Sequence, residues 1–424
     1  MQLITPLIAA SVLATKVFAH PGHDMQAEIA ERAAFMATAP RDLSHCAEKL
    51  KKRGLDKKNV ARRAAMAKDA RKKRAISEDS PYLRVRDTDS VLATSHLSSE
   101  AYTNATEESI LFSGNSSCIL SPEVTQGPYY VTGEYVREDI REDQAGIDLI
   151  LDTQVIDVAT CDPVPDAMIE IWHCNSTGVY SGVVSSGNGD SSDTTNLDAT
   201  FLRGLQPTDD EGVAQFMTLF PGHYTSRATH IHVLAHFNGT QYENGTYAGG
   251  YVSHVGQLFF DQDLITQVEA VSPYSTNTQA ITDNSDDAIF AEEAATTDPV
   301  IEYSLLGSDI SSGVFGWVAF GIDLTSEQTV TGAASLTADG GVASENSGMG
   351  GGGSGSGGPG GNGTAPTGAA PSGAMLSNAT ASASSATTLV TSTSASTSGA
   401  ASAATAVIEI GLLFWAGAWM VLAV

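Results

Sequence analysis

The sequence predicts an all-β core, an antiparallel β-sandwich, with a short α-helical segment before it and a disordered Gly/Ser/Thr-rich stalk after it. Two observations carry the sandwich. Residues 147–156, 167–172, 213–220, 230–237, 257–260 and 314–324 are short runs rich in Val, Ile and Phe, side chains that fit a pleated, half-buried surface. Clusters of Gly, Pro, Asn and Asp separate these runs and supply the turns between them. The first run also alternates, with Asp148, Asp152 and Gln154 falling between apolar neighbours at the period of a strand that has one polar face. The long segments 183–200 and 239–256 are expected to be loops around the rim of a pocket.

The flanking elements follow in order. Residues 1–19 are apolar and end in Val17-Phe-Ala19, which reads as a secretory signal peptide. Residues 20–112 form a basic segment whose Ala, Leu, Met and charge pattern is helical from about 23 to 73, giving two or three helices. Within it, Lys72-Lys73-Arg74 is a candidate processing site, and the rival expectation is that the helices stay and cover the domain. The sandwich is placed at 113–330. Residues 331–405 are dominated by Gly, Ser, Thr and Ala, a composition that buries too little apolar surface to offset chain entropy. The apolar residues 406–424 read as the tail of a glycosylphosphatidylinositol anchor signal, with a C-terminal membrane helix as the alternative. The expected location is therefore outside the cell, at the surface or in the wall, with the lipid anchor as the only tie to a membrane.

Charge and cysteine usage fit that location. The chain carries 49 acidic and 22 basic residues, and 13 of the basic ones lie between 49 and 74. After residue 75 only six remain, all Arg (84, 86, 137, 141, 203 and 227), against 42 acids. So acidic a surface argues against nucleic acid as a partner. Cys46, Cys118, Cys161 and Cys174 are an even set in an exported chain, so disulfides are expected; of the three possible pairings, Cys161 with Cys174 is disfavoured by the extended segment between them. Seven sequons start at Asn104, Asn115, Asn175, Asn238, Asn244, Asn362 and Asn378, and Asn175 is expected to stay unmodified because it lies five residues from Tyr180.

The chemistry is concentrated in Arg227-Ala-Thr-His230-Ile-His232. On a strand, residues two apart project to the same side, so His230 and His232 converge. Tyr180 and Tyr224 lie on expected loops near them. Two imidazole nitrogens and two phenol oxygens suit a hard trivalent cation, Fe(III), better than Zn(II), Cu(I) or Mg(II).

These residues stand in ordered segments: Gly127-Pro-Tyr-Tyr130, Pro163 through Trp172-His-Cys-Asn-Ser-Thr-Gly-Val-Tyr180, Phe201-Leu-Arg-Gly, Thr208-Asp-Asp-Glu-Gly, Phe220-Pro-Gly-His-Tyr224, Arg227 to His232, and Gly256-Gln257. Over about 120–325 the chain thereby resembles the intradiol ring-cleaving catechol dioxygenases, in particular their secreted fungal members. The resemblance implies a non-haem Fe(III) enzyme that inserts both atoms of O2 between the hydroxyl-bearing carbons of a small catechol-type aromatic, giving a muconate-type diacid without an organic cofactor. It implies Tyr180 and His230 as equatorial ligands and Tyr224 and His232 as axial ones, with Tyr224 also a base. Arg227 would lie beside the bound ring, and Gln257 would line the same pocket. Cys174, often Ala in the family, and Ala228-Thr229, often a Pro-Ala pair, are departures that bear on pocket shape. The competing class is a surface-anchored module with a degenerate metal site that binds aromatic or wall material.

Overall fold

The computed structural model describes residues 42–78, 80, 82, 112, 117–119, 127–294, 297–328 and 330–344. The expected signal peptide, the tail 406–424, almost all of the expected stalk, and sequons Asn104, Asn115, Asn362 and Asn378 lie outside these residues, and so does the Cys118 side chain. No helix among the described residues is long and apolar enough to cross a membrane.

Two helices open the described chain, α1 (Ala47–Arg53) and α2 (Leu55–Lys73). Gly54, at φ +71, ends the first helix and starts the second, a backbone turn that glycine makes without steric cost. The strands are β1 (Ser117–Ile119), β2 (Val131–Thr132), β3 (Asp148–Asp157), β4 (Met168–Trp172), β5 (Arg203–Pro207), β6 (Val213–Leu219), β7 (His230–Phe237), β8 (Thr240–Gln241), β9 (Tyr247–Ala248) and β10 (Tyr251–Phe259). Helices α3 (Gln262–Glu269) and α4 (Ala288–Ala294) come next, then β11 (Glu302–Leu305), β12 (Val314–Ile322), β13 (Ala334–Thr337) and β14 (Gly340–Ala343).

These strands build the expected sandwich. One sheet runs β1-β12-β3-β6 with β11 added to β12, and the other runs β10-β7-β4-β5. The second is antiparallel throughout, whereas β12 pairs parallel with both β3 and β1. Between the sheets lie Leu149, Leu151, Val155, Phe216, Val318 and Phe320 from one side, and Ile169, Ile171, Ile231, Val233, Ala235 and Leu258 from the other. At about 25 cal/mol per Å2 of apolar area removed from water, these buried side chains supply the main driving force for the layer.

Three sequence expectations are corrected. Segment 239–256 is not a long loop: it contains the β8–β9 hairpin and two-thirds of β10, whose pairing with β7 buries Ser253 and His254 despite their polarity. Backbone pairing, not an apolar run, makes this strand. The domain also continues past 330, because β13 pairs with β2 and with β14, so the expected stalk cannot begin at 331. Finally, the polar face of β3 is not solvated.

Helices α1 and α2 cover that face. Ala64, Ala67 and Ala70 pack on Ile150, Phe315 and Trp317, and small side chains there let the helix approach the sheet closely. Asn59 donates to Gln154 at 2.7 Å, and Arg62 grips Asp152 through Nε and Nη2 at 2.8 and 2.9 Å. Arg63, 1% exposed, adds its Nε to Asp152 at 3.3 Å. A disulfide joins Cys46 to Cys161, with Cα atoms 5.2 Å apart, so the disfavoured Cys161–Cys174 pairing is absent and Cys174 is a free, buried thiol. The dibasic stretch closes α2, where Arg74 pairs with Asp148 at 2.6 Å.

Candidate metal centre and active site

Strand β7 has two faces. Ile231, Val233 and Ala235 point into the core, so His230 and His232 must point out of it. What covers them is loop. Tyr180 stands on a segment held at its backbone by Asn188, which donates to the Tyr180 carbonyl at 2.9 Å and accepts from its N–H at 2.7 Å. Tyr224 arrives through a tight turn in which Ser226 takes φ +74 and Arg227 bridges back to Tyr224. On the far side, Gly127 leaves no room to spare: a Cβ there would sit 3.0 Å from His232 Cε1.

The four expected ligands meet. His230 Nε2 is 3.0 Å from His232 Nε2 and 3.4 Å from the hydroxyls of both Tyr180 and Tyr224. His230 Nδ1 lies 2.6 Å from the Ala228 carbonyl, which can only accept, so the proton resides on Nδ1 and the Nε2 lone pair faces the other three groups. A hydrogen bond uses that lone pair once, whereas one cation at the centre uses all four donors. His232 is held flat against Trp172, ring centroids 4.6 Å apart and 5° from parallel.

Electrostatics agree with a site made for a cation. Burial, helped by the charge on Arg227, drives His230 down to about 3, so it stays neutral. Burial and then the neighbouring Tyr224 phenol push Tyr180 well above its ordinary value, and burial raises Tyr224 against the opposing field of Arg227. Phenolates therefore need a strong positive partner, which Fe(III) supplies. The residues fit that ion.

Arg227 and Gln257 are also where the sequence placed them, joined by a hydrogen bond from Arg227 Nη2 to Gln257 Oε1. Three residues escaped the sequence reading. Tyr129 lays its ring 4.8 Å from that of Tyr180 and 6.2 Å from that of Tyr224. Arg203, 1% exposed, donates to the Tyr129 and Ser181 carbonyls at 2.7 Å each and lies 6.0 Å from the Tyr180 ring. Asp287 binds Arg227 and Ala228. The first two stand inside quoted motifs; for Asp287 the available signal was an acid just before a short apolar helix. Cys174, by contrast, stays out of the chemistry: its Sγ donates to the Gly222 carbonyl at 3.3 Å, and burial pushes the thiol up to about 12. The Asn175 carboxamide donates from Nδ2 to Gln144 and accepts at Oδ1 from the Thr177 and Val179 N–H groups.

A family model described as dioxygenase matches residues 122–293. An intradiol ring-cleavage dioxygenase from Tetranychus urticae is 31% identical, the match covering 50% of this chain and 98% of that one, with a TM-score of 0.41. Identity at that level over nearly the whole of a relative decides the matter. The chain belongs to the intradiol ring-cleavage dioxygenase family. Among curated proteins, catechol 1,2-dioxygenase from Acinetobacter baylyi is 33% identical over 109 residues, 24% of this chain and 32% of that protein. Catechol 1,2-dioxygenase from a Pseudomonas species is 42% identical over 66 residues, 14% and 22% of the two chains. The matches thus span a third or less of these curated relatives. All four expected ligands fall within the stretch that the family model matches.

The intradiol dioxygenase domain also carries a pH-sensitive group near its site. Glu134 is 1% exposed, Arg203 Nε stands 3.8 Å from its Oε1, and among the described residues neither carboxylate oxygen has a hydrogen bond. Burial lifts its pKa to about 8 against the pull of Arg203. A raised carboxyl favours folding while protonated, so its contribution is complete below about pH 4.5 and is lost as pH rises through 8. Wild-type protein is expected to lose about 3 kcal/mol of unfolding free energy from this group between pH 5 and 8. Urea titrations of wild type and Glu134→Gln check this; equal pH slopes for the two proteins refute it.

Proposed function

We propose that this domain is an extracellular ferric intradiol dioxygenase that opens small catechol-type aromatics with O2, giving muconate-type diacids. The convergence of Tyr180, Tyr224, His230 and His232 carries the reading, because nothing in a merely structural sandwich requires two imidazoles and two phenols to share one centre. Fe(III), when bound there, is a Lewis acid that lowers the proton affinity of the oxygens around it.

The chain's own groups divide the remaining work. His230 and His232 supply nitrogen ligands, His230 fixed in its tautomer by the Ala228 carbonyl. Tyr180 is wholly buried and held at its backbone, which suits a permanent ligand. Tyr224 is half-buried, so it is the phenol that an incoming diol would reach and whose oxygen would take up the diol's proton. Arg227 offers fixed positive charge where negative charge grows on the ring. Tyr129 walls the site beside both tyrosines and favours a flat aromatic guest.

The extracellular location, with a lipid anchor at the surface or wall, is supported by the composition of residues 1–19 and 345–424 and by the Cys46–Cys161 disulfide, which persists best in an oxidising compartment. The test is the purified secreted protein. It is expected to contain iron, to be burgundy from tyrosinate-to-iron charge transfer, and to take up oxygen with at least one of catechol, hydroxyquinol and protocatechuate. Colourless, iron-free protein that binds aromatics without oxygen uptake would make it a binding module instead.

A further inference from the structure

Arg227 is short of ways to stay in place on its own. It follows Ser226, which takes φ +74, in a loop beside the four ligands, with its side chain 13% exposed. Two partners hold it. Gln257 accepts from Nη2, and Asp287, from the far side of the sequence, accepts from Nε at 2.9 Å. The remaining nitrogen, Nη1, has no protein partner among the described residues. Because arginine carries only donors, Gln257 must turn its Oε1 to it, which leaves Gln257 Nε2 as a buried donor with no partner. Two N–H donors are thus left over beside the four ligands.

Asp287 is built for the task of holding. It is 2% exposed, and its two oxygens divide their bonds. Oδ2 takes Arg227 Nε and the Ala228 N–H at 2.9 and 2.7 Å, whereas Oδ1 takes the Ile289 and Phe290 N–H groups at 2.7 and 3.1 Å, capping α4. The carboxylate therefore locks the short segment that leads from Arg227 into ligand His230. Its counter-charge also lets the guanidinium be buried, since an unpaired buried charge is costly.

We infer that Asp287 is the positioning residue that fixes the Arg227 guanidinium, directing Nη1 rather than Nε to the bound aromatic ring. The role rests on the ring-cleavage reading above. It specifies more than that reading, because it makes the reaction depend on a residue that touches neither metal nor substrate. Asp287→Asn separates holding from capping: the amide oxygen still caps α4, but the amide nitrogen can accept from neither Arg227 Nε nor the Ala228 N–H, and the Arg227→Ala background shows which of the two losses lowers kcat.

The experiment is a double-mutant cycle on Asp287→Asn and Arg227→Ala in the full secreted protein, with iron content, visible spectrum, KM, kcat and urea midpoint read for each. Asp287→Asn is expected to keep its iron and the position of the charge-transfer band while kcat falls about 10- to 100-fold, the scale of a misplaced catalytic group. KM for catechol should move far less. In the Arg227→Ala background the same substitution should lower kcat no further, and Asp287→Glu should recover part of the single-mutant loss. An undiminished kcat, an equal loss with or without Arg227, or a loss of iron in Asp287→Asn would each overturn the inference. If wild type turns over no catechol, the ring-cleavage reading fails by itself. The urea midpoints then still judge the pair: non-additive shifts support it and additive shifts reject it.

Discussion

His230→Ala protein is expected to be secreted and folded but colourless, with iron content and oxygen uptake both lowered by more than about 100-fold. Substituting a residue that merely supports a metal ligand typically costs 10- to 100-fold, so removing a ligand itself should exceed that. His230 is the central one of the four to lose, because its Nε2 lies within 3.4 Å of the other three donor atoms. The fold should survive. Its neighbours Ile231 and Val233 keep the core face of β7, and the lost side chain points away from that core. Tyr224→Phe supplies the contrast: its ring still packs against Tyr129 and Tyr180, so the protein should stay folded while turnover drops with the lost hydroxyl. Metal analysis, visible absorption and oxygen uptake on one preparation of each variant separate the cases. Normal iron and normal turnover in His230→Ala would remove the ligand assignment altogether.

Legibility in the sequence followed physical range. The histidines could be read from local geometry, since a spacing of two on a strand fixes a shared face. Tyr180 and Tyr224 needed the order of motifs, because the loops that carry them are shaped by contacts such as Asn188 on the Tyr180 backbone. Asp287 was out of reach: it lies 60 residues from Arg227, and no local pattern announces a partner that distant. The same holds for the fold. Runs of β-formers located β3, β4, β6, β7 and β12, but the direction of pairing between β3 and β12 is parallel and is settled by the path of the chain, which composition does not record. The first two-thirds of β10 interrupts Tyr251, Val252 and Val255 with Ser253, His254 and Gly256, and its register against β7 makes it a strand. Most instructive is β3, whose Asp152 and Gln154 mimic a solvent face. They are instead the receiving side of α2, whose own arginines look like a solvated charge run until both surfaces are put together.

That junction yields the second large effect. Asp152→Ala is expected to destabilise the domain by about 3–5 kcal/mol, the usual cost of stranding a buried charge, and so to lower the melting temperature by roughly 10 °C. Asp152 is fully buried, and burial alone would raise its pKa. The hydrogen bonds and charge of Arg62, with the charge of Arg63, outweigh burial and hold it below the usual carboxylate range. Arg63 is in the converse position, burial pulling it down to about 10 against the charge of Asp152. It also donates to the Phe112 carbonyl at 3.2 Å and lies 5.4 Å from the Trp317 ring, so it cannot swing out to water without opening the layer beneath α2. Removing the carboxylate therefore takes the ion-pair partner at 3.3 Å away from a guanidinium buried on a sheet face. Arg62→Ala should cost much less, because Arg62 is part-exposed and its loss leaves Asp152 with Arg63 and Gln215. Thermal unfolding under non-reducing conditions, with the Cys46–Cys161 link intact in all variants, isolates this network from the tether. A loss below about 1 kcal/mol for Asp152→Ala, the scale of an exposed ion pair, would mean that the helical segment is not part of the cooperative fold. A cut at Lys72-Lys73-Arg74 would then loosen it with little consequence, the Cys46–Cys161 disulfide alone tethering it. A loss at the larger scale makes residues 43–74 as integral to the domain as the strands they cover.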